Sequence, residues 1–107
     1  MVTIIRPEFS PDPSLDTEQM KALQHDIATT ASFTDTGSIN PGHLDETLVA
    51  GVDQAFTDDH AISAIVVMQG ESVVDQVTAV APLDVPYIPG LLAFREGGSI
   101  LAAFQEL

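Results

Sequence analysis

A chain of 107 residues carrying 16 Asp and Glu against 3 Lys and Arg, with a net charge of −13 and 45% apolar residues, is one domain at most. It contains no cysteine, which excludes disulfides and thiolate metal sites. No apolar run approaches bilayer length and the N-terminus lacks a basic-then-apolar leader pattern, so a soluble cytoplasmic protein is expected.

The apolar fraction argues against disorder for most of the chain. The acidity fits a high-salt cytoplasm, where a Debye length of about 3 Å at 1 M makes self-repulsion cheap, or else an acidic partner for a basic protein. Net charge bears on solubility and association rather than on fold.

Residues 1–16, with Pro7, Pro11 and Pro13, read as an extended arm that excludes helix. Asp16 is an N-cap with Gln19 completing a capping box. Met20, Leu23 and Ile27 follow at helical spacing, which predicts an amphipathic helix over 17–31, with His25 off the stripe. Residues 32–46 are rich in Gly, Asn, Pro, Ser and Thr and read as a connector with His43 exposed. From 47 to 82 the period changes to two: strands over 47–56, 61–68 and 73–81, separated by Thr57-Asp58-Asp59-His60 and Gln69-Gly70-Glu71-Ser72. Turns this short imply an antiparallel meander. The first strand is apolar on both faces, the pattern of a central strand. A loop over 83–91 leads to a helix over 92–106. Its expected buried face is Ala93, Ile100, Leu101 and Phe104, with Glu96 in the first turn at the edge of that face. Gly97 and Gly98 weaken this helix but allow close approach to a strand or a backbone.

Candidate chemistry is sparse. Asp53 closes an apolar strand, where a carboxylate needs a hydrogen bond, a counter-charge or a metal. It reads equally as a cap on the following turn. Glu96 reads as an acid favoured by the helix dipole. Jointly the two read as oxygen ligands for a hard cation. With only Arg6, Lys21 and Arg95 as basic residues, ion pairing is a scarce alternative. Tyr87, the single tyrosine, is braced by Pro86 and Pro89 and reads as a half-buried loop aromatic or as a rigid wedge of the kind inserted into a base stack. Asp58-Asp59-His60 reads as a polar turn. No Walker loop, nucleophile elbow, paired His motif or basic patch is present.

Two stretches, Val49-Ala50-Gly51-Val52-Asp53 and Pro86-Tyr87-Ile88-Pro89-Gly90-Leu91-Leu92-Ala93-Phe94-Arg95-Glu96-Gly97, resemble the signature of the endonuclease V (deoxyinosine 3′-endonuclease) family. The resemblance covers about residues 47–107 and follows the N-terminal helix more loosely. It implies a ribonuclease H-like α/β fold, here as an α+β half-domain of helix, three-stranded meander and helix. It also implies Mg²⁺-dependent cleavage (Mn²⁺ as a substitute) on the 3′ side of deoxyinosine in DNA, or of inosine in RNA. By the same resemblance Asp53 and Glu96 are catalytic metal ligands, and Pro86, Tyr87, Ile88 and Pro89 form the strand-separating wedge. Gly90 and Leu91 lie beside the flipped base.

In the family a further strand bearing a second Asp follows this helix, with a His and a Lys beyond it. The resemblance therefore implies an N-terminal half that is inactive alone. It would leave the strand at 48–56 open to a C-terminal half or to self-association. The alternative reading is a non-catalytic nucleic-acid-binding or acidic protein-interaction module.

Overall fold

In the computed structural model, residues 2–35, 37 and 39–107 are described; Met1 of the arm and Thr36 and Ser38 of the connector lie outside them. Helix α1 spans Thr17–Thr30, strands β1, β2 and β3 span Leu48–Phe56, His60–Gln69 and Ser72–Pro82, and helix α2 spans Leu92–Gln105. The expected order of helix, antiparallel meander and helix is the order observed. No helix among the described residues is long and apolar enough to cross a membrane.

Helix α1 starts where its side chains can satisfy its first amides. Asp16 Oδ1 accepts from the Gln19 N–H at 2.8 Å, and Gln19 Oε1 accepts from the Asp16 N–H at 2.9 Å. Of its apolar stripe, Met20 is buried, Leu23 half-buried and Ile27 exposed. The arm departs from the expected extended form at one point. A 3-10 turn occupies Pro7–Phe9, because proline at a first helical position loses no hydrogen bond and has its φ already set. A second 3-10 segment, Pro41–Glu46, interrupts the connector behind an Asn40 cap.

The strands pair in the order β1-β2-β3, antiparallel throughout, with a register irregularity at Val67/Met68. In this chain β1 is therefore an edge strand, with its outer side open as the resemblance implied. Leu48, Val49, Val52 and Phe56 remain exposed, and no strand pairs with its outer side among the described residues. One face of the sheet carries α2. Along β2, Ala61, Ser63 and Ile65 are buried on that face. The register then assigns Phe56, Gln54 and Val52, their direct partners on β1, to the same face.

The face that α2 buries differs from the one its apolar spacing predicts. Phe94, Gly97, Ser99 and Ala103 are buried, whereas Ala93 is exposed and Ile100, Leu101 and Phe104 are half-buried. The helix has turned small residues inward, Ser99 to the sheet and Gly97 to the arm, where they permit close approach. The larger Ile100 and Leu101 line an apolar groove of about 370 Å³ beside Leu23 and Ile27 of α1. Gly97 is required by the arm and not by a strand, since a Cβ there would overlap the Pro11 ring. Gly98 faces open space.

The main core is small: Met20, Val85, Leu91 and Phe94, with Leu15, Leu23 and Ile88 packed around it. It gathers α1, the loop over 83–91 and the start of α2. The loop bearing the tyrosine is thus anchored at both ends.

Candidate nuclease site and wedge loop

The site is built on the outer side of β1. Asp53 is the sixth residue of the nine in Leu48–Phe56, not the last, so it does not cap the following turn. Strand alternation gives Asp53 and Gln54 opposite faces: Asp53 pairs with Ala64, and Gln54 with the buried Ser63. Gln54 thus points toward α2. The Asp53 carboxylate turns back along the strand, and its Oδ1 accepts the Gln54 N–H at 2.8 Å. That amide lies on the unpaired edge, so the side chain of Asp53 supplies the acceptor that a neighbouring strand would otherwise provide.

Glu96 projects from the second turn of α2, and no acid occupies the first turn. Its placement therefore owes nothing to the helix N-terminus, whose cap Leu91 makes no side-chain bond. What fixes it is contact with the sheet. The Gln54 amide nitrogen donates to both Glu96 carboxylate oxygens at 3.0 Å, the amide orientation that sets a donor against the carboxylate in place of a second acceptor. One turn on, the buried Ser99 Oγ donates to the Glu96 carbonyl at 3.0 Å and lies 2.7 Å from the buried Ser63 Oγ of β2. Val52, Asp53, Gln54, Glu96 and Ile100 line one open cleft of about 260 Å³. The structure thus brings the two predicted acids to a common cleft, with Gln54 between them. Neither is ion-paired among the described residues: Lys21 pairs with Glu18 at 3.6 Å, and the guanidinium groups of Arg6 and Arg95 lie over the rings of Phe9 and Phe56 at 5.7 and 5.3 Å.

A hard divalent cation fits this donor set in part. The two carboxylates offer oxygen only, and Mg²⁺ is commonly held by one or two carboxylates with water and substrate phosphate filling the rest. No cluster of three His, Cys, Asp or Glu side chains able to hold a metal occurs among the described residues. The Asp58-Asp59-His60 turn is one such non-site. His60 Nδ1 lies 2.7 Å from Asp59 Oδ1 and the turn is exposed. The hydrogen bond and charge of His60 hold the Asp59 carboxyl below its ordinary 3.8.

The wedge loop projects next to α2. Val85 and Leu91 are 4% and 2% exposed, while Tyr87 between them is 67% exposed and not half-buried. Ile88-Pro89-Gly90-Leu91 forms a tight turn closed by Leu91 N–H to Ile88 O at 3.0 Å, with Gly90 at φ +86°. Proline followed by a positive-φ residue is the pattern of a type II turn, which is why Pro89 and Gly90 stand together. Gln24 Nε2 of α1 donates to Gly90 O at 2.6 Å, and Arg95 Nη1 makes a long 3.4 Å contact with Val85 O. Pro86 and Pro89 are exposed and Ile88 is packed on the core. Sequence reasoning missed Gln24, Gln54, Ser63, Ser99 and the bracing role of Arg95. Gln54 alone left a signal, a polar residue at an inward position of an apolar strand.

Helix, antiparallel meander and helix, with Asp53 and Glu96 lining one open cleft beside a proline-braced aromatic loop, define an α/β half-domain. Comparison with known proteins agrees. The endonuclease V family model matches residues 26–107. Endonuclease V of Natronomonas pharaonis is 57% identical over 103 residues, covering 94% of this chain and 42% of the relative. That of Haloarcula marismortui is 47% identical over 125 aligned residues, covering 96% and 46%. The crystal structure of endonuclease V from Streptomyces avermitilis superimposes with a TM-score of 0.74 at 34% identity, covering 84% of this chain and 40% of that one. Human ENDOV gives 0.71 at 27%, covering 86% and 41%. The chain belongs to the endonuclease V family, and it spans less than half the length of the curated relatives it matches.

Proposed function

We propose that this chain carries the wedge and two of the metal-binding carboxylates of a cytoplasmic DNA-repair endonuclease that cuts a phosphodiester 3′ to deoxyinosine, or to inosine in RNA. The observation that supports this most is the shared cleft of Asp53 and Glu96 on the open edge of β1. Asp53 and Glu96 would hold Mg²⁺, with Mn²⁺ as a substitute. Such an ion supplies charge neutralisation at the scissile phosphate and acidifies a bound water. Tyr87, exposed on a loop whose flanks are buried, suits insertion between bases while Pro86, Ile88 and Pro89 keep the backbone from yielding. Gly90 and Leu91 set the turn against which an extruded base would rest. An inosine pair is weaker than a normal one, which lowers the cost of extrusion.

Binding here rests on stacking and on the cation more than on phosphate neutralisation, because the chain has only 3 basic residues. With two carboxylates in the cleft and no third ligand among the described residues, the 107-residue chain by itself cleaves little or nothing. The acidic surface is the mark of a protein working at high salt.

The test incubates the purified chain with a deoxyinosine duplex and Mg²⁺. No nicking is expected from the chain alone. Nicking is expected when a polypeptide supplying the rest of the family's length is added, and it should vanish with Asp53→Ala or Glu96→Ala. Cleavage by the chain alone that Asp53→Ala abolishes would overturn its inactivity. Restored cleavage that both substitutions leave intact would overturn the site.

A further inference from the structure

Gln54 lines one cleft with the two acids, and among the described residues its side chain has one partner, Glu96. It is half-buried on the α2 face of an edge strand, and its amide nitrogen reaches both oxygens of Glu96 at 3.0 Å. A carboxylate on a helix has several staggered rotamers open to it, and a single donor centred on its two oxygens selects one. The backbone beneath is fixed as well, by the Ser99 Oγ bond to Glu96 O and the buried Ser63–Ser99 pair. With backbone and carboxylate both held from β1 and β2, Glu96 is presented to the cleft in one orientation. This one nitrogen uses only part of the carboxylate's capacity, since an ionised carboxylate has about four acceptor sites, so lone pairs remain for a cation.

We infer that Gln54 is the positioning residue of this site, and that its amide orients the Glu96 carboxylate for a divalent cation shared with Asp53. Outer-shell hydrogen bonds of this kind fix ligand orientation, and their loss commonly weakens metal binding by about tenfold or more. The same strand thereby contributes twice. Asp53 is a ligand, and the next residue, pointing to the opposite face, aims the other ligand. This inference rests on the cation reading proposed above.

The test uses the full 107-residue chain, with Mn²⁺ as the probe and amide resonances as the readout. In the wild type, Mn²⁺ should broaden residues 52–54 and 96 in a saturable way. The Gln54 side-chain NH₂ signal, identified by its loss in Gln54→Leu, should be shifted and slow to exchange. It should return to free-glutamine values in Glu96→Ala. Gln54→Leu, close in size but without donors, should leave the spectrum folded and weaken Mn²⁺ binding by about tenfold. Gln54→Asn, too short to reach, should weaken it similarly. If Mn²⁺ broadens nothing near Asp53 and Glu96, the cation reading fails. If broadening occurs there and Gln54→Leu binds as tightly as wild type, the cation reading stands and the positioning role of Gln54 is overturned. Free-glutamine behaviour of the NH₂ signal in the wild type overturns it as well.

Discussion

Gln24 of α1 donates its side-chain amide to the carbonyl of Gly90 at 2.6 Å, across 66 residues of sequence. Helix α1 thereby supports the turn from which Tyr87 projects. An exposed side-chain bond of this kind contributes about 0.5–1.5 kcal/mol, so Gln24→Ala should lower stability only by that order. Tyr87→Ala should cost less still, because its ring is 67% exposed. Both substitutions should nonetheless reduce recognition of a deoxyinosine duplex, measured by gel shift with the variants' melting curves alongside. A Tyr87→Ala shift equal to wild type would remove the wedge role.

The two buried serines should respond unequally. Ser99→Ala strips Ser63 of the one side-chain partner it has and leaves a buried hydroxyl unsatisfied, at a cost of about 1–3 kcal/mol. Ser63→Ala should cost less, since Ser99 Oγ keeps the Glu96 carbonyl. The double alanine variant should be more stable than Ser99→Ala alone. Urea unfolding of all four proteins checks the order.

Adjacent glycines in α2 should behave in opposite ways. Gly97→Ala drives a methyl into the Pro11 ring and should destabilise by about 1–3 kcal/mol. Gly98→Ala meets nothing and should stabilise by up to about 1 kcal/mol through helix propensity. Adding Pro11→Gly to Gly97→Ala should recover part of the loss, read from thermal melts.

The open edge of β1 predicts self-association that grows with salt. At low ionic strength a charge of −13 per chain opposes it; at high salt the repulsion is screened, and the exposed Leu48, Val49 and Phe56 drive pairing. Val49→Lys should suppress the association and Asp53→Ala, which frees the Gln54 N–H, should enhance it. Sedimentation from low to molar KCl distinguishes these outcomes. A monomer under all conditions would count against an accessible edge. Folding stability should rise over the same salt range.

Asp59 offers a pH signature at low pH. Its carboxyl lies below 3.8, first through the hydrogen bond with His60 and then through the charge of that ring. A lowered folded-state value means that the contribution to stability is complete above the unfolded value. It is lost as pH falls through the folded one. The turn is exposed, so the effect is small. His60→Ala should move Asp59 back up toward 3.8 in a carboxyl-detected NMR titration, with little change in melting temperature at neutral pH.

Local chemistry determined the elements of this protein. The Asp16–Gln19 box starts α1, period-two apolar runs with polar turns make the meander, and Pro89-Gly90 encodes a tight turn before α2. The family signature marked Asp53, Glu96 and the loop around Tyr87 because those residue types recur in a long specific string. Tertiary structure decided what such patterns cannot carry. An apolar strand looks the same at the centre or at the edge of a sheet, so its residues alone did not mark β1 as the open edge that the resemblance implied and the pairing shows. Helical spacing proposed Ala93, Ile100, Leu101 and Phe104 as the buried face of α2. The buried face is instead Phe94, Gly97, Ser99 and Ala103, with Ser99 on the sheet, Gly97 against Pro11 of the arm and Phe94 in the core with Met20 and Leu91. The partner of Glu96 could not be read from its neighbours in sequence, since Gln54 meets it through the alternation of a strand 42 residues earlier. The family resemblance thus named the two acids, and the register of β1 against β2, with α2 laid across β2 and β3, brought them to one cleft.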